Sequence, residues 1–215
     1  MKVKWLGHAS FLITSEKGTR VIFDPYHSGG RLLYGDISET ADAVTVSHEH
    51  GDHNASEMVK GNPVVLKGAV NTTVKGVAIK GIPAFHDDAQ GKQRGPSTIF
   101  CATIDGMRVC HLGDLGHLLS DKDMAEIGKV DILFSPMAGT YTIDATTATE
   151  LVGRIKPRVM IPMHFKTAKS PELPVTGVDV FTKGKNNVKV MDTSEIEFKK
   201  DSLPENQIIV LKPAL

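Results

Sequence analysis

Excess charge of either sign is missing from this chain. Its twenty-five basic and twenty-five acidic residues cancel over 215 positions. Bulk electrostatics therefore has little with which to gather nucleic acid or an anionic membrane surface. Long hydrophobic runs are missing too. No stretch of eighteen apolar residues occurs, and the opening Met1-Lys2-Val3-Lys4-Trp5 alternates like a strand without an apolar signal core. The expectation is a soluble, cytoplasmic protein with no membrane insertion and no nucleic-acid partner. Cysteine is scarce: Cys101 and Cys110 are the only two, too few for a disulfide scaffold. If Asp105-Gly106 is a two-residue hairpin turn, these cysteines face each other across antiparallel strands. A bond between them is then conceivable, while a reducing cytosol favours two buried thiols. Low-complexity tracts are also absent, and no repeat is visible at the level of residue identity.

The chain has length enough to bury about 70% of its unfolded surface, which suits one domain over 1–215. It is rich in histidine, with nine, and three of them crowd into Ser47-His48-Glu49-His50-Gly51-Asp52-His53 directly after the apolar run Ala43-Val44-Thr45-Val46. A packed core has no use for that density of ligands. Imidazole nitrogen and carboxylate oxygen bind zinc and its neighbours, and His-x-His-x-Asp-His offers four donors from one turn. A buried strand ending at Ser47 sends His48 and His50 the same way and leaves Asp52 and His53 on the following turn, so two pairs of donors face two adjacent positions.

Other donors are strung along the chain. Val3–Trp5, Phe11–Ile13 and Val21–Phe23 read as three short antiparallel strands, with His8 between the first two and Asp24-Pro25 closing the third. Residues 26–42 read as a loop able to border a cleft, and a helix is expected from His53 to about Val59. Short strands follow at 64–66, 73–74 and 77–79. His86 precedes a polar, glycine-bearing segment, and the hairpin 99–112 ends in Gly113-Asp114, where an acid leaving a strand can reach a metal. His111 alternates away from Asp114 by strand parity. Helices at 121–127 and 144–155 flank a strand at 131–134, and the strand 159–161 runs into Pro162-Met163-His164. Strands near 188–191, 196–198 and 208–211 complete the sheet.

In this order, Leu6-Gly7-His8-Ala9-Ser10, Phe23-Asp24-Pro25, the clustered histidine motif, His86, Leu112-Gly113-Asp114 and Ile161-Pro162-Met163-His164 resemble the successive motifs of the metallo-β-lactamase superfamily. They are most similar to its branch of small metal-dependent hydrolases of the ascorbate-6-phosphate lactonase and N-acylphosphatidylethanolamine phospholipase D type. The resemblance implies an α+β fold, a four-layer αββα sandwich with metals at one edge between the sheets. It also implies two divalent metal ions, zinc first, with manganese or iron as alternatives. His48, His50 and His86 would take one ion and Asp52, His53 and His164 the other, with Asp114 bridging and Asp24 supporting without binding. His86 is followed by Asp87 and Asp88, which the family pattern does not require, so His86 or a neighbour fills the first-site position.

The chemistry implied is hydrolysis of a small-molecule ester, lactone or phosphodiester by a metal-bound hydroxide, with Asp52 or Asp114 handling the proton. His8, Arg94, His117, Tyr141 and Lys166 are the polar candidates for the substrate rim. Two other readings stand beside it: a metal-binding redox or sensor protein of the same fold, and an interaction platform that binds metal poorly.

Overall fold

The computed structural model describes residues 1–215. The first half contributes β1 (Lys2–Gly7), β2 (Ser10–Thr14), β3 (Arg20–Phe23), β4 (Ala43–Val46), β5 (Val64–Lys67), β6 (Asn71–Val74), β7 (Val77–Phe85) and β8 (Pro96–Ile104). After β9 (Met107–His111) come α1 (Asp121–Ile127), β10 (Ile132–Pro136), α2 (Ala145–Ile155), β11 (Val159–Met163) and α3 (Val178–Thr182). The chain closes with β12 (Val188–Val190), β13 (Glu195–Glu197) and β14 (Gln207–Val210). These strands form two sheets. One has the order β13-β1-β2-β3-β4-β5, the other β12-β14-β11-β10-β9-β8-β7-β6.

Patterning explains where each strand lies. In β10 and β11 every residue is buried, as expected of parallel strands covered on both faces. The sheets meet through aromatic rings: Phe11 of β2 stacks on Phe134 of β10 with centroids 4.1 Å apart and planes 10° from parallel. A single apolar core of 62 buried residues runs from Met1 to Leu211. Helix starts follow their caps. Ser120 and Asp123 form a reciprocal capping box on α1, and Asp144 caps α2 by accepting from Thr147 N–H at 2.8 Å. Helix α2 then buries Ala148, Leu151 and Ile155 on one side.

The expected hairpin is present, with Cys101 paired to Cys110 in register and both thiols free, their sulfurs 3.3 Å apart. The helix expected from His53 to Val59 is not. Only one 3-10 turn, Ser56–Met58, forms there, because His53 N–H closes on His50 carbonyl and Ala55 N–H is taken by Pro25 carbonyl. The crossovers from β3 to β4 and from β4 to β5 thus contain loops and that one turn. A second correction concerns β13, which joins the first sheet by pairing Glu195–Glu197 with Lys2–Lys4 and does not extend the second. No helix is long and apolar enough to cross a membrane.

Candidate metal centre

Four strand ends converge on one spot. β4 of the first sheet leads into His48, His50, Asp52 and His53. In the second sheet β7 ends at His86, β9 leads to Asp114 and β11 to His164. Two glycines make the close approach feasible. At Gly113, with φ +56°, a Cβ would lie 2.6 Å from Ser47 Cβ of the opposite sheet. At Gly116 a Cβ would lie 2.4 Å from both the His86 carbonyl carbon and the Asp87 nitrogen. His8 N-terminal to β2 and His164 after β11 are stitched together by the His164 N–H donating to His8 carbonyl at 3.2 Å. His8, Asp24 and His164 all hold positive φ, at 51°, 43° and 56°. Non-glycine residues held in that region cluster at functional sites.

The Asp114 carboxylate is the hub. It is buried, with His86 Nε2 at 3.1 Å, His164 Nε2 at 3.4 Å and His48 Nε2 at 3.8 Å from Oδ2, and His53 Nε2 at 3.2 Å from Oδ1. Three groups have donor atoms within 4.8 Å of one another: His48, His50 and His86; His8, Asp52, His53 and His164; and, beneath both, Asp24 with His48 and His53. His48 Nε2 and His50 Nδ1 are 3.0 Å apart.

Below the donors, Asp24 sets their tautomers. It accepts from Ser47 N–H at 2.8 Å, from Ser47 Oγ–H, and from His53 Nδ1–H at 2.9 Å. Ser47 Oγ, having given its proton to Asp24, accepts from His48 Nδ1–H at 2.9 Å. With Nδ1–H engaged in this way on each ring, Nε2 is the atom that both imidazoles turn toward the cleft. Burial holds His48 down to about 3 and, together with the neighbouring His164, holds His8 down to about 4, so both rings stay neutral. Burial also works against the charge on His53, but Asp114 and Asp52 outweigh it and raise its pKa.

A cation fits this donor set on an observation independent of any relative. His53 Nε2 and Asp114 Oδ1 are buried, near one another, and without a hydrogen-bond partner. Such orphaned atoms are costly unless something binds them. Imidazoles with carboxylates suit zinc, iron or manganese. The donors look out on a cleft of about 480 Å³, toward which His50 is the exposed member.

The seven sequence-predicted ligands, His48, His50, Asp52, His53, His86, Asp114 and His164, all come together here. Asp87 does not compete with His86, because its carboxylate turns away to accept backbone N–H groups of its own loop. Of the rim candidates, Arg94 and Tyr141 line the cleft. Three do not. His8 is fully buried beneath Asp52, its Nε2 3.2 Å from Oδ2, since the chain turns inward at positive φ there. His117 is spent outside the cleft, where Nε2 accepts from Phe85 N–H at 3.2 Å and Nδ1–H donates to Leu118 carbonyl at 2.8 Å. Lys166 is exposed beside the bridge that pairs it with Gly177 and does not line the cleft. His111 points away from the donors, as parity expects, and binds Ala9 carbonyl at 2.8 Å. Among the lining residues that the sequence does not single out, two carry ionisable side chains, His27 and Arg31. Both lie in the 26–42 loop, which was legible as a cleft border but has no periodicity to say which side chains turn inward.

The chain is similar to known metal-dependent hydrolases. The model of the β-lactamase superfamily domain matches residues 2–164. A UPF0173 metal-dependent hydrolase of Carboxydothermus hydrogenoformans is 31% identical over 211 residues, covering 84% of this chain and 89% of the relative. Another, from Thermococcus onnurineus, is 28% identical and covers 99% of this chain and 97% of its own. Among solved structures, one described as a Zn-dependent hydrolase of the metallo-β-lactamase superfamily from Thermotoga maritima superposes with a TM-score of 0.82 at 36% identity. It covers 98% of this chain and 97% of that one. The motif order, the two-sheet fold and these relatives together establish that the chain belongs to the metallo-β-lactamase superfamily, within its UPF0173 metal-dependent hydrolases.

Proposed function

We propose that residues 1–215 act as one domain, a cytoplasmic dinuclear hydrolase of small-molecule esters, lactones or phosphodiesters. The observation that carries this reading is the Asp114 carboxylate, held between imidazoles delivered by three other strand ends. His48, His50 and His86 would hold one divalent ion, zinc first, and Asp52, His53 and His164 the other, with Asp114 shared. When bound, such ions supply Lewis-acid polarisation of the substrate and bring the pKa of water toward about 7.

The chain's own residues do the rest. Asp24 orients His53 directly and His48 through Ser47, so that each ring turns its Nε2 toward the cleft. Asp52 sits at the edge of the cleft with its side chain one-third exposed. Burial opposes its charge, but His53 and His8 overcome that and hold its carboxylate far below the ordinary range. So ionised, it can accept a hydrogen bond from an attacking water and orient it. His8 holds that carboxylate in place from beneath. The cleft's size fits a small molecule.

The test is His50→Ala. Metal per chain by elemental analysis and hydrolysis of a panel of lactones, aryl esters and phosphodiesters should both fall by orders of magnitude. Full activity in that variant would remove the site from consideration. An intense visible spectrum with iron as the native metal, and no hydrolysis, would instead point to the redox reading.

A further inference from the structure

Four of the six arginines in the chain are accounted for by partners. Arg20 pairs with Glu39, Arg154 with Asp121 and Arg158 with Glu205, while Arg108 Nε donates to Ile127 carbonyl at 2.8 Å. Arg31 and Arg94 are different: neither has a carboxylate within 4.0 Å, and both line the cleft above the metal donors. They arrive from loops 63 positions apart in sequence, 94 − 31, and meet at one side chain. Arg31 Nη1–H donates to Tyr141 Oη at 3.4 Å. The Arg94 guanidinium lies 5.1 Å from the centre of the Tyr141 ring, and its Nη2–H donates to Thr140 carbonyl at 3.0 Å.

Arg94 is also held from behind. Asp87 accepts four backbone N–H groups, from Ala89 and Gly91 at 2.8 Å each, Gln93 at 3.0 Å and Arg94 itself at 2.7 Å. The carboxylate thereby ties residues 89–94 into a closed loop whose last member is the arginine. Because Asp87 directly follows His86, one metal donor and one cationic rim residue belong to the same short piece of chain. The acid that the family pattern does not call for has found its use in this arrangement.

Unpaired guanidiniums at a cleft mouth are matched by planar or tetrahedral oxyanions, which accept two parallel N–H bonds from each fork. A rim already ordered by Tyr141, Thr140 and Asp87 loses little conformational freedom on binding. We infer that the substrate carries a phosphate or carboxylate group, gripped by Arg31 and Arg94 across Tyr141 while its ester or lactone bond faces the metal donors. This deepens the hydrolase reading and rests on it for the second half of that statement. The cleft of about 480 Å³ accommodates a small molecule of that kind.

The experiment uses zinc-loaded protein and two anionic probes, phenyl phosphate and benzoate, with benzyl alcohol as the neutral counterpart. Calorimetry gives their affinities for the native chain, for Arg31→Met/Arg94→Met and for Arg31→Lys/Arg94→Lys. Metal content is measured in the same samples, so loss of the metal centre is told apart from loss of the rim. At least a tenfold weakening of one anion in the methionine variant is expected, with part recovered in the lysine variant and benzyl alcohol insensitive to both. The anion that weakens more identifies the group as phosphate or carboxylate. Equal anion affinities in the native and methionine proteins would overturn the inference. Failure of the native protein to hydrolyse any aryl ester or lactone, with arginine-dependent anion binding intact, would refute the hydrolase reading and leave the anion grip standing.

Discussion

Replacing Asp24 with Asn probes the tautomer relay under the metal donors while leaving size and shape almost unchanged. Asparagine also tolerates the positive φ of 43° found at this position, so the backbone need not move. The amide oxygen can still accept from Ser47 N–H, but the amide cannot supply the second acceptor that His53 Nδ1–H and Ser47 Oγ–H share. His53 then loses a charge-assisted hydrogen bond, worth about 1.5–3 kcal/mol. Its ring is free to carry its proton on Nε2, the atom that faces Asp114. Partners of this kind typically govern 10–100-fold in metal affinity, which corresponds to about 1.4–2.7 kcal/mol and agrees with the loss of one such bond. The assay is zinc affinity by competition with a fluorescent chelator, with circular dichroism confirming that the fold survives. Ser47→Ala, which removes the hydroxyl between Asp24 and His48 but leaves the Asp24–His53 bond, should cost less. An Asp24→Asn protein that is folded and binds zinc within about twofold of the native affinity would refute the relay.

Other perturbations test the scaffold. Phe134→Ala removes the ring that stacks on Phe11 across the two sheets and should cost about 3–5 kcal/mol in urea unfolding, with the slope unchanged. Gly116→Ala drives a methyl into the His86–Asp87 peptide and should lower stability by about 1–3 kcal/mol while weakening zinc binding at least as much as Asp24→Asn; a neutral outcome would mean that His86 does not depend on this contact. Glu39, half-buried, accepts from Lys4 Nζ at 2.7 Å and Arg20 Nη2 at 2.6 Å. Burial opposes its ionisation, but those two cations outweigh it and lower its pKa below 4.5. Its contribution is therefore complete above about pH 4.5, the unfolded value, and is lost as the pH falls through the lower folded value. Glu39→Gln should flatten that part of the stability profile, measured by urea titration at a series of acidic pH values.

Much of the site could be read in advance because its donors sit at the ends of strands whose apolar runs and Gly or Pro punctuation are local signals. His48 to His53, Asp114 and His164 are of this kind. The hairpin register across Asp105-Gly106 was legible for the same reason, since a two-residue turn fixes every pair that follows. What could not be read depends on partners distant in sequence. The segment after His53 has a helix-like composition, yet Pro25 carbonyl takes the Ala55 N–H and only a 3-10 turn remains. Strand β13 has three residues and finds its place through Lys2–Lys4, where Lys2 and Glu195 face each other at 3.5 Å. Arg31 enters the cleft from an aperiodic loop, and only its meeting with Tyr141, 110 positions away, marks it.

The most direct measurement is an anomalous difference map collected at the zinc edge from a crystal of the zinc-loaded chain. Expected is density in the space bounded by His48, His50 and His86 on one side and by Asp52, His53 and His164 on the other, with Asp114 between two peaks. No peak there, and Asp114 instead paired directly with protonated His53 and His164, would contradict the metal centre on which the proposed hydrolysis depends.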